Sequence, residues 1–388
     1  MSYETFIVVS WIATAIDLAA ALAVTLYRRQ PTAESVPQPK IGLARGLLAL
    51  AAMGVVFLIK LPLLGTVGLD GFGVIRLLYL DMVVALPLLG VVLLASHLAA
   101  YRRFTKPMLV AAVLAVLAAP VGIYATFVES YRLRLETARV VLPAGRVGNS
   151  PLTIGVLADI QTADVSVYER EAVERLLAQH PDLILLPGDL FHRRYLSFEQ
   201  ELPELRELLG LLPTDAFITA GNVDTRERLR QATRGTSVRF LDNHIVRLTL
   251  GDRRITVGGV GLNYGSSEAR KTIETLLTDP GDDIRILVSH LPDVVLELPE
   301  NSRIDLVVSG HTHGGQVQLP LIGPLMTLSR VPAAIAAGGL HTHRGNRIYV
   351  SRGVGHEQGQ APTIRFLCPP EISLITLTDR KTTQPAAD

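Results

Sequence analysis

The chain reads IDLVVSGHTHGG over residues 304–315. The first six of these residues form a short, mostly apolar run, which is typical of a buried strand. His311 and His313 stand one residue apart after that run, and Gly314 and Gly315 let the backbone turn sharply beside an ion or a phosphate. The pattern predicts a metal site at the end of a strand. Taken alone, it also fits a surface loop that happens to hold two histidines.

Polar residues of the same kind follow four other predicted strands. They are Asp159 and Gln161 after residues 152–158, Asp189 after 183–187, Asn222 and Asp224 after 216–220, and His290 after 284–289. Ligands of open α/β sheets bind at the carboxyl ends of the strands, so these residues are expected at one edge. Capping or turn formation explains any one of them, but five such stretches at the same edge indicate a site.

The chemistry of these side chains indicates which ligand the edge holds. Carboxylate oxygens and imidazole nitrogens without a thiolate suit Mn²⁺, Fe or Zn²⁺. An aspartate that bridges two such ions, about 3.5–4 Å apart, is the centre of a two-metal hydrolase site. The sequence therefore predicts a site for two divalent metal ions.

Amphipathic stretches alternate with the predicted strands. Helices are predicted at residues 168–179, 198–211, 225–232, 268–278 and 293–298, and this alternation favours an α/β fold. Strands without helices between them are predicted at residues 239–250, 254–259, 346–351 and 371–377. They indicate an antiparallel portion or a second sheet. The tail, residues 379–388, is predicted to be disordered.

The first third of the chain has a different composition. The whole chain is 48% hydrophobic and 19% charged, which is too apolar for an ordinary soluble protein of 388 residues. Four apolar runs, at about residues 5–27, 46–65, 77–98 and 107–128, are each near the roughly 20 residues that span a bilayer. They predict a multi-pass, all-α transmembrane domain over residues 1–130. A buried bundle in a soluble protein is the weaker alternative. The first residues lack the basic region of a cleaved signal peptide, so the first run is predicted to be retained.

Charged residues near the apolar runs predict orientation and pairing. Lys and Arg occur in the loops after the first and third runs, whereas residues 66–73 contain neither and Arg76 lies at the far edge of that loop. The basic loops are expected in the cytoplasm and the long following domain on the outer face of the cell membrane. Lys60 and Asp81 are expected to pair, and Asp17 has no evident partner. Three scattered charges make a poor transport path.

Two further features exclude classes of function and structure. The formal net charge is +1 and no basic stripe is interleaved with aromatic residues, so nucleic acid is not an expected partner. Cys368 is the only cysteine, which excludes an intrachain disulfide.

The motifs, in this order, resemble the calcineurin-like metallophosphoesterase superfamily, whose pattern is D-x-H, G-D, G-N-H-D/E, a lone His and G-H-x-H. The closest likeness is to the membrane-attached or exported bacterial branch that carries GHTHGGQ, which stands here at residues 310–316. The resemblance covers about residues 139–378. It implies a catalytic domain with a four-layer α/β/β/α sandwich and two metal ions at the sheet edge.

The resemblance also implies a role for each motif residue. Asp159, Gln161 and His313 would ligate the first metal, Asp189 would bridge both, and Asn222, His290 and His311 would hold the second. A metal-bridging hydroxide would attack phosphorus in line, and Asp224 would orient the histidine of the third motif.

Two residues depart from the family's pattern. Gln161 stands where the family has histidine. Its amide oxygen should make the first site prefer Mn²⁺, Mg²⁺ or Fe²⁺, and among these Mn²⁺ is favoured. Val223 replaces the histidine that steadies the transition state or protonates the leaving group. Losing general acid catalysis typically costs about 10²–10⁴-fold in rate.

Two hypotheses follow from these departures. The first is an active phosphoesterase whose leaving group needs little protonation, as in a phosphodiester or a pyrophosphate. His192 is then a candidate substitute acid, ahead of His341 and His343, which are expected at a hairpin tip. The second is a degenerate domain that binds metal or phosphate without turnover, as a sensor or scaffold. Among the ligand positions only Gln161 departs, which favours the enzyme, and membrane attachment favours a lipid-linked or envelope-derived substrate.

Overall fold

The computed structural model describes residues 2–27, 40–101, 106–143, 145–148, 150–192 and 196–379. The chain divides into two compact units. The helical unit comprises Met1–Phe127 with Gly359–Thr363, and the α/β unit comprises Val128–Gln358 with Ile364–Asp388. The predicted domain limits stay predictions, although the first strand of the α/β unit begins before residue 139.

The helical unit consists of long apolar helices. They are α1 (Tyr3–Leu26), α2 (Lys40–Thr66), α3 (Gly71–Leu80), α4 (Leu86–Tyr101) and α5 (Lys106–Ile123). A π-helical turn, Asp81–Ala85, joins α3 to α4, and another, Tyr124–Val128, follows α5. Within the described residues, four helices are long and apolar enough to cross a membrane: Tyr3–Leu26, Gly46–Thr66, Gly71–Ser96 and Leu109–Tyr131.

Two expectations about charged residues in this unit are wrong. The third apolar helix begins at Gly71, because Asp70 caps it by accepting a hydrogen bond from the Gly73 N–H. Arg76 therefore lies inside a helix and not at the edge of a loop. Lys60 forms an ion pair with Asp17, for which no partner was expected.

The pairing of Lys60 follows from the face on which Asp17 lies. The buried residues of α1 recur every three or four positions, from Phe6 through Ala13 and Asp17 to Ala21. Asp17 is therefore on the packed face of the helix, where the Lys60 ammonium from α2 reaches it and also donates to the Ala13 carbonyl. Removing either partner would leave an unpaired charge at a buried position, which is costly.

The α/β unit contains two six-stranded sheets. Sheet 1 has the order β1 (Arg134–Leu142), β14 (Glu371–Asp379), β2 (Leu152–Val156), β3 (Leu183–Leu186), β4 (Ala216–Ile218), β5 (Arg239–Phe240). Sheet 2 has the order β12 (Gly339–His343), β13 (Asn346–Val350), β9 (Leu306–Ser309), β8 (Ile284–Ser289), β7 (Arg253–Val260), β6 (His244–Leu250). A small hairpin pairs β10 (Gln318–Leu319) with β11 (Gly323–Pro324).

Helices cover the outer face of each sheet. On sheet 1 lie α6 (Val167–Leu177), α7 (Phe198–Gly210) and α8 (Arg226–Thr233), and on sheet 2 lie α9 (Ser267–Thr278), α10 (Ala333–Ala336) and a 3₁₀ helix, Pro292–Glu297. The inner faces share a third core, in which Ile154 and Phe217 of sheet 1 are clustered with Ile286 and Val308 of sheet 2. The α/β/β/α sandwich is confirmed, and each central strand is apolar on both faces because both are buried.

Several local expectations differ from the structure. Residues 239–250 form two strands in different sheets, because the chain turns at Asn243, whose φ is +56°. Residues 292–297 form a 3₁₀ helix and not an α-helix. The edge strands β1 and β12 were not predicted. Asp379 ends β14 and does not begin a disordered tail, and residues 380–388 lie outside the described residues.

Candidate metal centre

The predicted site residues follow the carboxyl ends of strands from both sheets. Sheet 1 supplies Asp159, Gln161, Asp189, Asn222 and Asp224, which follow β2, β3 and β4. Sheet 2 supplies His290, His311 and His313, which follow β8 and β9. Because these parallel strands end at the same level, side chains far apart in the chain meet at one edge.

The backbone at these strand ends is strained. Five motif residues have φ between 40° and 74°, in the left-handed region that side chains rarely adopt: Asp159, Gln161, Asp189, His311 and His313. Each such residue costs about 1–3 kcal/mol, and strain of this kind is concentrated at functional sites. The surrounding fold therefore holds these residues in positions that their own backbone preferences oppose.

Three buried side chains in the described part of the chain form a group that could hold a metal ion. One ligand atom from each of Asp159, Asp189 and His290 lies within 4.8 Å of the others. The Asp159 carboxylate accepts two hydrogen bonds from the His311 N–H, at 3.0 and 3.1 Å. The backbone of one motif residue thus orients the carboxylate of another.

Backbone carbonyls fix which nitrogen of two histidines carries the proton. His290 Nδ1 lies 2.8 Å from the Pro187 carbonyl oxygen, and His311 Nε2 lies 3.3 Å from the Leu328 carbonyl oxygen. A carbonyl only accepts hydrogen bonds, so His290 Nδ1 and His311 Nε2 donate, and the other nitrogen of each neutral ring carries a lone pair.

The two free lone pairs converge with two oxygens. Asn222 Oδ1 lies 2.8 Å from His290 Nε2 and 2.9 Å from His311 Nδ1, and these two nitrogens are 3.2 Å apart. Asp189 Oδ2 lies 3.4 Å from His290 Nε2. When Asp189 is ionised, these four electron-rich atoms carry no proton and repel one another unless a cation lies between them. The donor set of carboxylate, amide and two imidazoles therefore fits a divalent metal.

A second set of donors lies beside the first. The side-chain atoms Gln161 Oε1 and His313 Nε2 are both buried and accept or donate no hydrogen bond among the described residues. Orphaned polar atoms of this kind are rare and are typical of sites that take an ion. With the carboxylates of Asp159 and Asp189 they fit a further divalent metal, although His313 lies outside the tight group of three.

Burial and charge repulsion act together on the carboxyl groups. Burial, and then the charge of Asp189, raises the pKa of Asp159 well above its usual value. Burial raises the pKa of Asp189 to about 7, against the hydrogen bonds that its carboxylate accepts from the backbone of Val223 and Asn222. Nearby cations would lower these pKa values, so metal binding would stabilise the ionised form of both carboxyl groups.

The histidines are held neutral for the same physical reason. Burial lowers the pKa of His290 and of His311 to about 4. Burial also lowers the pKa of His313, and the positive charge of Arg365 lowers it further. Neutral imidazole is the form that ligates metals, so His290 Nε2 and His311 Nδ1 are ready to bind at neutral pH. His313 differs, because its Nδ1 accepts a hydrogen bond from the Arg365 guanidinium at 3.3 Å.

Asp224 contacts backbone and not a catalytic side chain. Its carboxylate accepts hydrogen bonds from the N–H groups of Asp189, Leu190 and Gly221, at 2.8, 3.1 and 3.0 Å. It therefore ties the loop after β3 to the loop after β4. The neighbouring Val223 N–H donates to Asp189 Oδ1 at 3.0 Å, so Val223 orients the carboxylate through its backbone while its side chain offers no proton.

The candidate substitute acids have different surroundings. His192 Nδ1 lies 3.4 Å from Gln161 Nε2, so this ring adjoins the predicted first metal site, and burial lowers its pKa. His341 and His343 lie on β12, the edge strand of sheet 2. His341 Nε2 donates to the Gly338 carbonyl oxygen at 3.0 Å.

Arg365 is a site residue that the sequence interpretation missed. It is fully buried and donates to the carbonyl oxygens of His313, Arg352 and Gly355, at 3.0, 2.8 and 2.5 Å. It thereby joins the loop of the histidine motif to the VSRGVG stretch at residues 350–355. An isolated arginine in a mixed stretch gives no periodic signal, so only the structure identifies it.

Comparison with known proteins decides the family. Residues 152–315 match the family model described as calcineurin-like phosphoesterase. This chain carries a calcineurin-like phosphoesterase domain. The domain holds a buried Asp-Asp-His group that suits a metal ion, and the superfamily predicted from the motifs is confirmed.

Three curated relatives share this domain. An uncharacterized metallophosphoesterase of Bacillus subtilis, YkuE, is 29% identical over 293 residues, which is 71% of this chain and 96% of YkuE. The phosphodiesterase YaeI of Escherichia coli is 28% identical over 53% of this chain and 74% of YaeI. A second Bacillus subtilis metallophosphoesterase, YkoQ, is 23% identical over 60% of this chain and 89% of YkoQ. The chain is thus similar to two metallophosphoesterases and one phosphodiesterase over most of each relative's length.

Proposed function

We propose that this chain is a membrane-anchored phosphoesterase that hydrolyses a phosphodiester or a pyrophosphate with two divalent metal ions. The observation that carries the proposal is the convergence of Asp189, Asn222, His290 and His311 through atoms that have no proton between them. Asn222, His290 and His311 would hold one ion, Asp159, Gln161 and His313 would hold the other, and Asp189 would be shared by both. The ions, when bound, supply an activated water and offset the charge on the phosphoryl oxygens.

The residues around the ions carry out separate tasks. The backbone N–H of His311 and the N–H of Val223 hold the carboxylates of Asp159 and Asp189 in fixed orientations. Asp224 fixes the two loops that carry Asp189 and Asn222. This pre-organisation removes the reorganisation that the site would otherwise undergo during the reaction.

The nature of residue 223 supports a preference among phosphoesters. Valine cannot protonate a leaving group, so the favoured substrates have leaving groups that depart as weakly basic anions, such as a phosphate or an acidic alcohol. His192 stays the candidate proton donor, and because desolvation of its half-buried ring lowers its pKa, it is a weak one. This supports a diester or pyrophosphate in preference to an alkyl monoester.

Metal type and cellular location follow from other features. The amide oxygen of Gln161, a harder ligand than imidazole, supports Mn²⁺ over Zn²⁺ in the first site.

The four helices long enough to span a membrane support a multi-pass anchor, and the distribution of Lys and Arg in the loops supports an outward-facing phosphoesterase domain. A lipid-linked or envelope-derived phosphoester is then the substrate at highest local concentration.

One observation favours a second candidate function. Val223 stands where the family has its catalytic histidine, and a domain that binds metal or phosphate without turnover has no need of that imidazole. In this alternative the domain acts as a sensor or scaffold.

The test compares two substrates. The full chain, purified in detergent and loaded with Mn²⁺, is assayed on bis(p-nitrophenyl) phosphate and on p-nitrophenyl phosphate, with Asp189→Asn as the control. We expect turnover of the diester above the monoester and loss of both in the control. Tight Mn²⁺ binding without turnover of either ester refutes the enzyme and supports the sensor or scaffold.

A further inference from the structure

A hairpin next to the metal centre exposes apolar side chains. Residues 317–329, which we name the rim hairpin, read VQLPLIGPLMTLS and contain no charged residue. The exposed fractions are 108% for Leu321, 69% for Ile322, 62% for Leu325 and 59% for Leu328. Single exposed apolar side chains are common, but three leucines and one isoleucine in one uncharged hairpin form an exposed apolar surface.

The rim hairpin is attached firmly to the motif that carries the histidines. The Leu328 carbonyl oxygen accepts from His311 Nε2 at 3.3 Å. A Cβ atom added to Gly315 would lie 2.7 Å from the Met326 carbonyl oxygen, so the hairpin passes this glycine too closely for any side chain. At its base Gln318 donates from its backbone N–H to Phe366 and from its side chain to Gly314. The exposed leucines therefore stand at a fixed position beside the site.

The tip uses leucine where glycine is favoured. The Ile322 N–H donates to the Leu319 carbonyl oxygen at 3.2 Å and closes a four-residue turn with Pro320 at its second position. Leu321, at the third position, has φ +67°, a conformation for which glycine or asparagine is the usual choice. Neither backbone preference nor packing against the described residues accounts for a fully exposed leucine here.

We propose that the rim hairpin inserts its leucines into the acyl-chain region of a lipid bilayer and so presents the metal centre to phosphoesters of lipid head groups. This proposal rests on the proposed function. The four long apolar helices keep a bilayer within reach of every copy of the chain. A protruding, uncharged tip of a few leucines has the composition of an interfacial insertion element.

The chemistry of the site explains why such an element lies there. The phosphorus of a membrane phospholipid is separated from its acyl chains by only a few bonds, so an enzyme that holds the phosphorus must provide for apolar chains close by. The rim hairpin, which shares a hydrogen bond with His311, is at that position. A second copy of this chain could also cover an apolar tip. The quenching experiment below distinguishes insertion into the bilayer from self-association.

The direct test places a fluorophore at the tip. Trp11 is the only tryptophan, so the full chain with Trp11→Phe and Leu321→Trp reports on residue 321 alone. It is reconstituted into phosphatidylcholine vesicles with and without dibrominated acyl chains, and Leu211→Trp, at an exposed site after α7, is the matched control. We expect strong quenching at position 321 and little at 211. Equal quenching at both positions, or protection by self-association without quenching, overturns the proposal.

A kinetic test separates the rim hairpin from the chemistry. The full chain with Leu321→Gly and Ile322→Ser is compared with the control Val167→Ser and Leu211→Ser, whose apolar side chains are exposed elsewhere. Glycine suits the backbone at position 321, so the variant is expected to fold. Because the variant no longer buries these two apolar side chains in the bilayer, we expect kcat/KM for CDP-diacylglycerol in mixed micelles to fall about tenfold or more.

The soluble diester bis(p-nitrophenyl) phosphate is assayed in parallel and should be cleaved equally by wild type, variant and control. Unchanged kcat/KM for the lipid in the variant refutes the insertion of the rim hairpin and leaves the phosphoesterase intact. Wild type that cleaves neither substrate refutes the proposed function. The quenching experiment then still reports on the rim hairpin by itself.

Discussion

Replacing Asp224 with asparagine tests what this carboxylate does in a site that lacks the family's third-motif histidine. Asp224 accepts hydrogen bonds from three backbone N–H groups, those of Asp189, Leu190 and Gly221. Asparagine keeps one oxygen and turns its NH₂ group toward at least one of these donors. The loops after β3 and β4 then lose part of the link that holds Asp189 beside Asn222.

The magnitude follows from the bond that is lost. Breaking one charge-assisted hydrogen bond and leaving its buried donor unpaired costs about 2–4 kcal/mol. The equilibrium for local opening of these two loops therefore rises about 30-fold to 1,000-fold. Amide hydrogen exchange, followed by mass spectrometry on the full chain in detergent, measures this change in peptides that cover residues 183–192 and 216–224.

The expected result is faster exchange in those two peptides, with unchanged exchange in residues 284–309. Asp164→Asn, an exposed aspartate that takes no part in these bonds, is the matched control. If Asp224→Asn abolishes turnover while exchange in both peptides stays as in wild type, Asp224 acts on the substrate and the assignment to backbone support is refuted.

Three further predictions concern the same site. Val223→His should raise kcat on alkyl phosphodiesters, whose poor leaving groups need a proton, and should leave kcat on aryl diesters nearly unchanged. If the substitution does not raise kcat on the alkyl diesters, the argument that a missing acid limits the rate is contradicted. Arg365→Met should weaken Mn²⁺ binding at the first site about 10-fold to 100-fold, because the hydrogen bond to the His313 carbonyl oxygen is lost. An unaltered Mn²⁺ affinity in equilibrium dialysis excludes a role of Arg365 in positioning His313. Because burial raises the pKa of Asp189 to about 7, this carboxyl holds a proton below that pH and must release it before a metal binds. The apparent Mn²⁺ association constant should therefore fall as pH drops through about 7, by at most about tenfold per pH unit for each carboxyl. If calorimetry finds the same association constant between pH 8 and pH 6, this prediction is contradicted.

The central strands and the strand-end motifs could be predicted from the sequence. Buried parallel strands are short apolar runs, and their carboxyl ends meet at one edge, so Asp159, Asp189 and His290 were expected together. Their convergence depends on local strain that the sequence does not display. A φ of +45° at Asp159 or +55° at Asp189 contradicts residue preference and is imposed by the surrounding fold.

The edge strands and the contacts of isolated charged residues could not be predicted from the sequence, for physical reasons. The residues of β1 are mostly exposed or half-buried and include charged side chains, so no buried apolar run reveals the strand. The pairing of Lys60 with Asp17 depends on how α1 and α2 are rotated about their axes, which uniformly apolar helices do not indicate. Arg365 acts through backbone carbonyls, which carry no side-chain signature in a sequence.

The metal content of the full chain tests the central claim most directly. After equilibration with Mn²⁺ and removal of free ion, elemental analysis should find two ions per chain in the wild type. One ion should remain in His311→Ala and one in His313→Ala, and none in Asp189→Ala, which removes the bridge. A wild type that retains no Mn²⁺, or a content that these substitutions leave unchanged, contradicts the assignment of this sheet edge as a two-metal centre.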